Sequence, residues 1–132
     1  MSTIFTKIIN REIPAQFIHE DEKCIVVMDK FPAIKGQTLV IPKQEVDYAF
    51  DLDEEIYIHI FNVAKKVVKA MDKVYETTRT CLVVEGFEIP HVHIKLYPMT
   101  KNDTNLASTL DNAKEATDEL LQIQANKIKS FL

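Results

Sequence analysis

Pro90-His91-Val92-His93-Ile94-Lys95-Leu96-Tyr97-Pro98 alternates apolar and polar residues without a break. Side chains on a strand change face at every residue, so the alternation predicts a strand over 91–97 with Val92, Ile94 and Leu96 turned into a core. His91, His93, Lys95 and Tyr97 then form a row on the opposite face, about 7 Å between neighbours. Two imidazoles, an ammonium and a phenol supply a nucleophile or base, several donors and positive charge, which suit a phosphoryl group. Two other readings of that face stay open. Antiparallel sheets commonly leave one face solvated. His-x-His is also half a zinc site, with Glu88, His19 or His59 as a third ligand, although Lys95 would repel the ion. Against plain solvation, two of the four histidines of the chain fall here at i, i+2, and prolines bracket the segment.

Outward from this stretch, residues 78–84 form a β-branched run that predicts a second strand. Before it, Ile56, Ile60, Val63, Ala64, Val67 and Met71 recur at helical spacing, behind Asp51 or Asp53 as the cap. Thr38-Leu-Val-Ile reads as a short strand stopped by Pro42, and residues 17–20 and 23–29 as a hairpin around Asp21-Glu22. Residues 29–36 form a loop punctuated by Pro32 and Gly36. Ile4, Phe5, Ile8 and Ile9 suggest a short opening helix, and residues 105–132 resume helical character. Helices interrupting strands joined mostly as hairpins predict an α+β fold with an antiparallel sheet, not a βαβ repeat.

With 132 residues the chain reads as one domain, 1–132, large enough to bury a core without a disulfide or metal staple. Sixteen Lys and Arg against twenty Asp and Glu give a net charge of −4. That leaves no electropositive surplus for a nucleic acid polymer or an anionic bilayer. Cys24 and Cys81 each open an apolar run and read as buried thiols, with no CxxC to hold zinc. The N-terminal residues turn charged too early for a secretory apolar core, and the apolar runs are too short to span a membrane, so a cytoplasmic protein is expected. Two glycines, against roughly nine in an average chain of this length, exclude a glycine-rich phosphate cradle. A bound phosphate must therefore be held by side chains or by a helix N-terminus.

His91-Val-His93-Ile-Lys95-Leu-Tyr97 resembles the His-φ-His-φ-His-φ-φ signature of the histidine triad (HIT) superfamily, with Lys95 in place of the third histidine. Ile4-Phe5-x-Lys7-Ile8-Ile9-x-x-Glu12-Ile13-Pro14-Ala15 is similar to the opening of that family. Glu20-Asp21-x-x-Cys24-x-x-x-x-Asp29 and Gly36-Gln37-Thr38-Leu39-Val40-Ile41-Pro42-Lys43 follow in register. The resemblance covers residues 3 to about 99, the expected core, and leaves a C-terminal helical extension over about 105–132 outside it. It implies a five-stranded antiparallel sheet with a long helix and a C-terminal helix, and a homodimer joining two such sheets into ten strands. It also implies a purine nucleotide ligand of AMP type, no cofactor, and attack of the middle histidine on the α-phosphorus to give a nucleotidyl-histidine. Phosphoramidates or dinucleoside polyphosphates would be the substrates.

On this resemblance His93 corresponds to the nucleophile and His91 to the first histidine, which contacts phosphate and holds the network. Asp29 matches the carboxylate that binds the ribose hydroxyls. Phe5, Ile8, Ile13, Val27, Lys30 and Phe31 lie where the base pocket and its rim form, and Gln37 stands where a histidine is common. For Phe5, Ile8 and Val27 plain core is the alternative; for Asp29 it is a turn carboxylate. Lys95 exchanges a proton-sharing imidazole for an ammonium of pKa about 10. Residues 85–90 are shorter than the glycine-rich loop of many members, and Phe87-Glu88 replaces their Gln-Ser pair. Glu88 could protonate the leaving group there, or be an outward loop carboxylate. Thr3 and Thr6 occupy the positions of cysteines that bind zinc in some members, so no structural zinc is expected. The departures leave an alternative function, a nucleotide-binding module impaired in turnover.

Overall fold

Five strands make one antiparallel sheet in the order β1-β2-β3-β5-β4. They are β1 (Phe17–Glu20), β2 (Cys24–Met28), β3 (Thr38–Pro42), β4 (Arg79–Val83) and β5 (Ile94–Met99). The computed structural model describes residues 2–132. Four α-helices accompany the sheet among these residues: α1 (Ile4–Ile9), α2 (Glu54–Tyr75), α3 (Leu106–Leu110) and α4 (Asp118–Lys129). The α+β architecture expected from the sequence is the one observed.

The sheet separates two apolar layers. Cys24, Val26 and Met28 of β2 join Val40, Ile94 and Leu96 in a core with α2 and α4. Ile25, Val27, Leu39 and Ile41 point the other way, onto Phe5 and Ile8 of α1. Both faces of β2 are therefore covered, which is why its sequence runs apolar instead of alternating. On α2 the stripe Ile60, Val63, Ala64, Val67 and Met71 is buried as its spacing predicts, Ile56 packs at the margin, and Asp53 is the cap residue. Each large side chain so buried contributes roughly 1.5–3 kcal/mol.

Two boundaries differ from the sequence reading. The strand expected over 91–97 begins only at Ile94, because the last partner from β3 is Val40. Ahead of it, the Val92 N–H donates instead to the Val46 carbonyl, at 2.8 Å. Nor does Pro98 end the strand; it sits opposite Thr80 of β4. The Thr78 N–H donates to the Met99 carbonyl, so odd-numbered residues of β5 bond toward β4 and Pro98 faces the other side. There β3 has already ended, at Thr38 opposite Leu96, and no ladder bond is lost.

The helical stretch read over 105–132 is two helices, capped by the side chains of Asn105 and Thr117. Between them the Lys114 and Ala116 N–H groups donate to the carbonyls of Pro32 and Lys30. Leu121, Ala125 and Ile128 of α4 are buried in the same core as α2.

Candidate functional site

The layer under α1 opens into a cavity of about 490 Å³. Its floor comes from β5 and the two residues ahead of it, where the alternation holds: Val92, Ile94 and Leu96 are in the core, while His93, Lys95 and Tyr97 line the cavity. His93 is only 5% exposed. Its Nδ1 lies 2.8 Å from the His91 carbonyl, an acceptor only, so the proton is on Nδ1 and Nε2 keeps its lone pair. Burial, with help from the Lys95 charge, pushes the imidazole below its ordinary 6.5. The hydrogen bond to the His91 carbonyl and the Asp29 charge oppose that shift without cancelling it. A neutral imidazole with one defined free nitrogen is what nucleophilic attack requires.

His91 does not line the cavity. Its ring is fully buried, with Nε2–H donating to the Pro42 carbonyl at 2.8 Å and Nδ1 accepting from the Thr3 hydroxyl at 3.3 Å. Phe5 packs edge-on against it at 5.9 Å and tilts over the His93 ring at 4.7 Å. His91 therefore fixes the backbone and ring to which His93 is attached, and both of its nitrogens are already committed. The departure from the expected row comes ahead of β5, where the His91 ring is drawn to the Pro42 carbonyl and the Thr3 hydroxyl. Thr3 also accepts from the Phe5 and Thr6 N–H groups as the cap of α1. A capping hydroxyl and a committed imidazole do not suit zinc at this place.

Lys95 Nζ lies 3.6 Å from Glu85 Oε1, so the ammonium is partly balanced before any ligand arrives. Burial, with the Asp29 and Glu85 charges, pushes the Tyr97 phenol up to about 12, leaving it a neutral donor. Opposite, the loop of residues 29–37 is tied by its own side chains. Asp29 Oδ1 accepts from the Phe31 N–H at 2.9 Å, and Oδ2 from the Gln37 amide at 2.7 Å. The Gln37 carbonyl oxygen accepts from the Ala33 N–H at 2.7 Å. Buried Gln37 thus braces Asp29, and Asp29 still faces the cavity.

Phe5 and Ile8 form the apolar wall, with Phe31 exposed at its edge. Glu88 lines the cavity from an exposed position on the rim. Lys30 also borders it, but its ammonium goes to Asp118 Oδ1 at 2.9 Å and the Ala116 carbonyl at 2.7 Å, anchoring the segment before α4. Val27 and Ile13 are not at the surface of the cavity. They pack in the layer behind Phe5 and Ile8. Ile4, Ala33, Leu39, the loop residues 85–87, Ile89, Leu110 and Ala113 complete the lining, and none of them was among the residues expected at the site. Leu110 and Ala113 arrive from the C-terminal extension, and no local spacing relates them to β5.

The HIT domain, as a family, matches residues 10–102. The chain is 31% identical over 123 residues to an uncharacterized HIT-like protein of Methanocaldococcus jannaschii, covering 90% of this chain and 95% of that one. A solved structure of a hypothetical histidine triad nucleotide-binding protein from Sulfolobus tokodaii superposes with a TM-score of 0.87 at 27% identity, covering 98% and 91% of the two chains. A HIT family hydrolase from Clostridium thermocellum superposes at 0.67 and 28% identity, over 78% of this chain and 95% of that one. The match over 10–102, joined to the cavity in which His93 sits one residue ahead of β5, places the chain in the histidine triad (HIT) family.

Proposed function

We propose that the protein is a purine nucleotide hydrolase or nucleotidyl transferase acting at the α-phosphorus, with His93 as nucleophile. The observation that carries this reading is the hydrogen bond from His93 Nδ1 to the His91 carbonyl, which leaves Nε2 unprotonated in a partly apolar recess. A purine would lie against Phe5 and Ile8, with the ribose hydroxyls donating to Asp29. Lys95 and the Tyr97 hydroxyl would face the phosphate oxygens. Nε2 attacks the α-phosphorus as its bond to the leaving group breaks, and the leaving nitrogen or oxygen takes a proton from Glu88 or from water. Water then attacks the nucleotidyl-histidine, its proton passing to Glu88 or to solvent, the P–N bond breaks, and His93 returns to its neutral form. His91 acts here as a positioning residue, through its carbonyl.

The names of the structural neighbours, one nucleotide-binding and one hydrolase, support this class. We further propose a homodimer: β4 is an edge strand of the sheet, and Leu82 and Val84 beside its open side are exposed. A second reading, a nucleotide-binding module with little turnover, is favoured by the Lys95–Glu85 pair, which occupies the place of a proton-sharing imidazole. A fluorogenic adenosine phosphoramidate separates the two. The enzyme reading expects turnover that falls by about a thousandfold or more in His93→Ala. Equal rates for the two proteins would remove it, and AMP binding without turnover would establish the binding module. Light scattering on the eluting protein tests the dimer.

A further inference from the structure

On the side of the sheet away from the nucleotide cavity, four potential metal donors come from separate elements. His19 is on β1, Asp21 in the turn after it, Cys24 opens β2, and His59 lies on α2. They meet at one atom. Asp21 Oδ2 is 2.7 Å from His19 Nε2, 2.8 Å from His59 Nε2 and 3.6 Å from Cys24 Sγ. The donor atoms of His19, Asp21 and Cys24 all lie within 4.8 Å of one another. We propose that these four residues form a divalent transition-metal site, with Zn²⁺ the ion that suits them.

Two imidazoles, a carboxylate and a thiol are a mixed set of borderline and soft donors, the kind that selects zinc over calcium or magnesium. Zinc bonds of about 2.0–2.1 Å to nitrogen and oxygen and 2.3 Å to sulfur put neighbouring tetrahedral N and O donors about 3.3 Å apart, and S and O about 3.5 Å. The Cys24–Asp21 edge is already at that length. Along its edge to Asp21 each imidazole has to withdraw about half an ångström, and His59, which stands outside the 4.8 Å group, has to close on the other donors. His19 and His59 are part-exposed and border a cavity of about 440 Å³, so both an entry path and room to move exist. Asp21 is held in place for the purpose: its other oxygen accepts from the Lys23 and Cys24 N–H groups at 2.8 and 2.9 Å.

The charges also close. A divalent ion displaces the Cys24 thiol proton, and each imidazole keeps its proton on Nδ1. Carboxylate, thiolate and ion then sum to zero, so the lysines that border this cavity, Lys66, Lys69 and Lys73, meet no added positive charge. In the sequence His19 and His59 offer only a third ligand to the His91–His93 pair; the fold brings both to Asp21. The site would clamp the β1–β2 hairpin to α2, independently of the nucleotide chemistry.

The test uses tag-free, chelator-treated protein titrated with Co²⁺ and then Zn²⁺. Supporting results are 1:1 binding at micromolar ion with the near-ultraviolet thiolate-to-cobalt band, and a Zn²⁺-dependent rise in Tm. The band should vanish in Cys24→Ser and persist in Cys81→Ser, and affinity should fall about tenfold or more in His59→Ala, whose folding circular dichroism verifies. No 1:1 binding, or binding unchanged in both His59→Ala and Cys24→Ser, overturns the proposal.

Discussion

Gly36 is where a single methyl group should reach the proposed nucleotide site through the backbone. It precedes Gln37, which braces Asp29, and it sits at φ +89°, a conformation that L side chains rarely adopt. A Cβ there would fall 2.5 Å from Tyr75 Cε2 and 2.6 Å from Cζ, so the tyrosine ring at the end of α2 has to shift. Left-handed backbone costs an alanine about 1–2 kcal/mol, and overpacking adds about 1–3 kcal/mol. Gly36→Ala should therefore lose about 2–5 kcal/mol. With an unfolding entropy of about 2.1 cal/mol/K per residue, that is a Tm lower by about 7–18 °C for a chain of this size. Gly86 is the internal control. Its φ is +82°, but a Cβ would meet only the Asp47 carbonyl at 3.7 Å, so Gly86→Ala should carry the backbone cost alone. Calorimetry on both variants, and on Gly36→Ala in a Tyr75→Ala background, separates strain from contact. Equal Tm losses for Gly36→Ala and Gly86→Ala would refute the steric argument.

Other expectations are as direct. Gln37→Leu removes the donor to Asp29 and orphans the Ala33 N–H, costing about 1–3 kcal/mol; titration calorimetry with AMP should show weaker binding, and unaltered affinity would mean that Asp29 needs no brace. Lys95→His should raise phosphoramidate turnover by restoring a proton-sharing group, whereas an unchanged or lower rate would make Lys95 itself the working group. Because the His93 pKa is lowered by folding, the unfolded chain binds a proton that the native state refuses. Its contribution to stability thus declines as pH falls through about 6.5, and urea titrations should show a shallower acid loss in His93→Asn. The acid limb of kcat/KM should likewise lie below the ordinary histidine value, and a limb at or above it would contradict the burial argument.

β5 and the stripe on α2 were legible because each obeys a local period: apolar alternation at Val92, Ile94 and Leu96, and 3.6-residue recurrence from Ile60 to Met71. His93, Lys95 and Tyr97 followed from the same alternation. His91 did not, because its ring is claimed by the Pro42 carbonyl and the Thr3 hydroxyl, partners that no local period marks. Lys30 was placed at the rim, yet its ammonium is taken by Asp118, 88 residues away in sequence. Leu110 and Ala113 reach the cavity by a path that no motif marks. The meeting of His19, Asp21, Cys24 and His59 needed the docking of α2 on the sheet, since 38 residues separate Asp21 from His59.

The proposed chemistry rests on one nitrogen, His93 Nε2, and on whether phosphorus becomes bonded to it. Rapid acid-free quenching of the protein with an adenosine phosphoramidate, followed by peptide mass spectrometry, tests that bond. An adenylyl adduct is expected on the peptide containing His93, formed and lost within turnover and absent from His93→Ala. Turnover at full rate with no adduct, or an adduct on another residue, would contradict it.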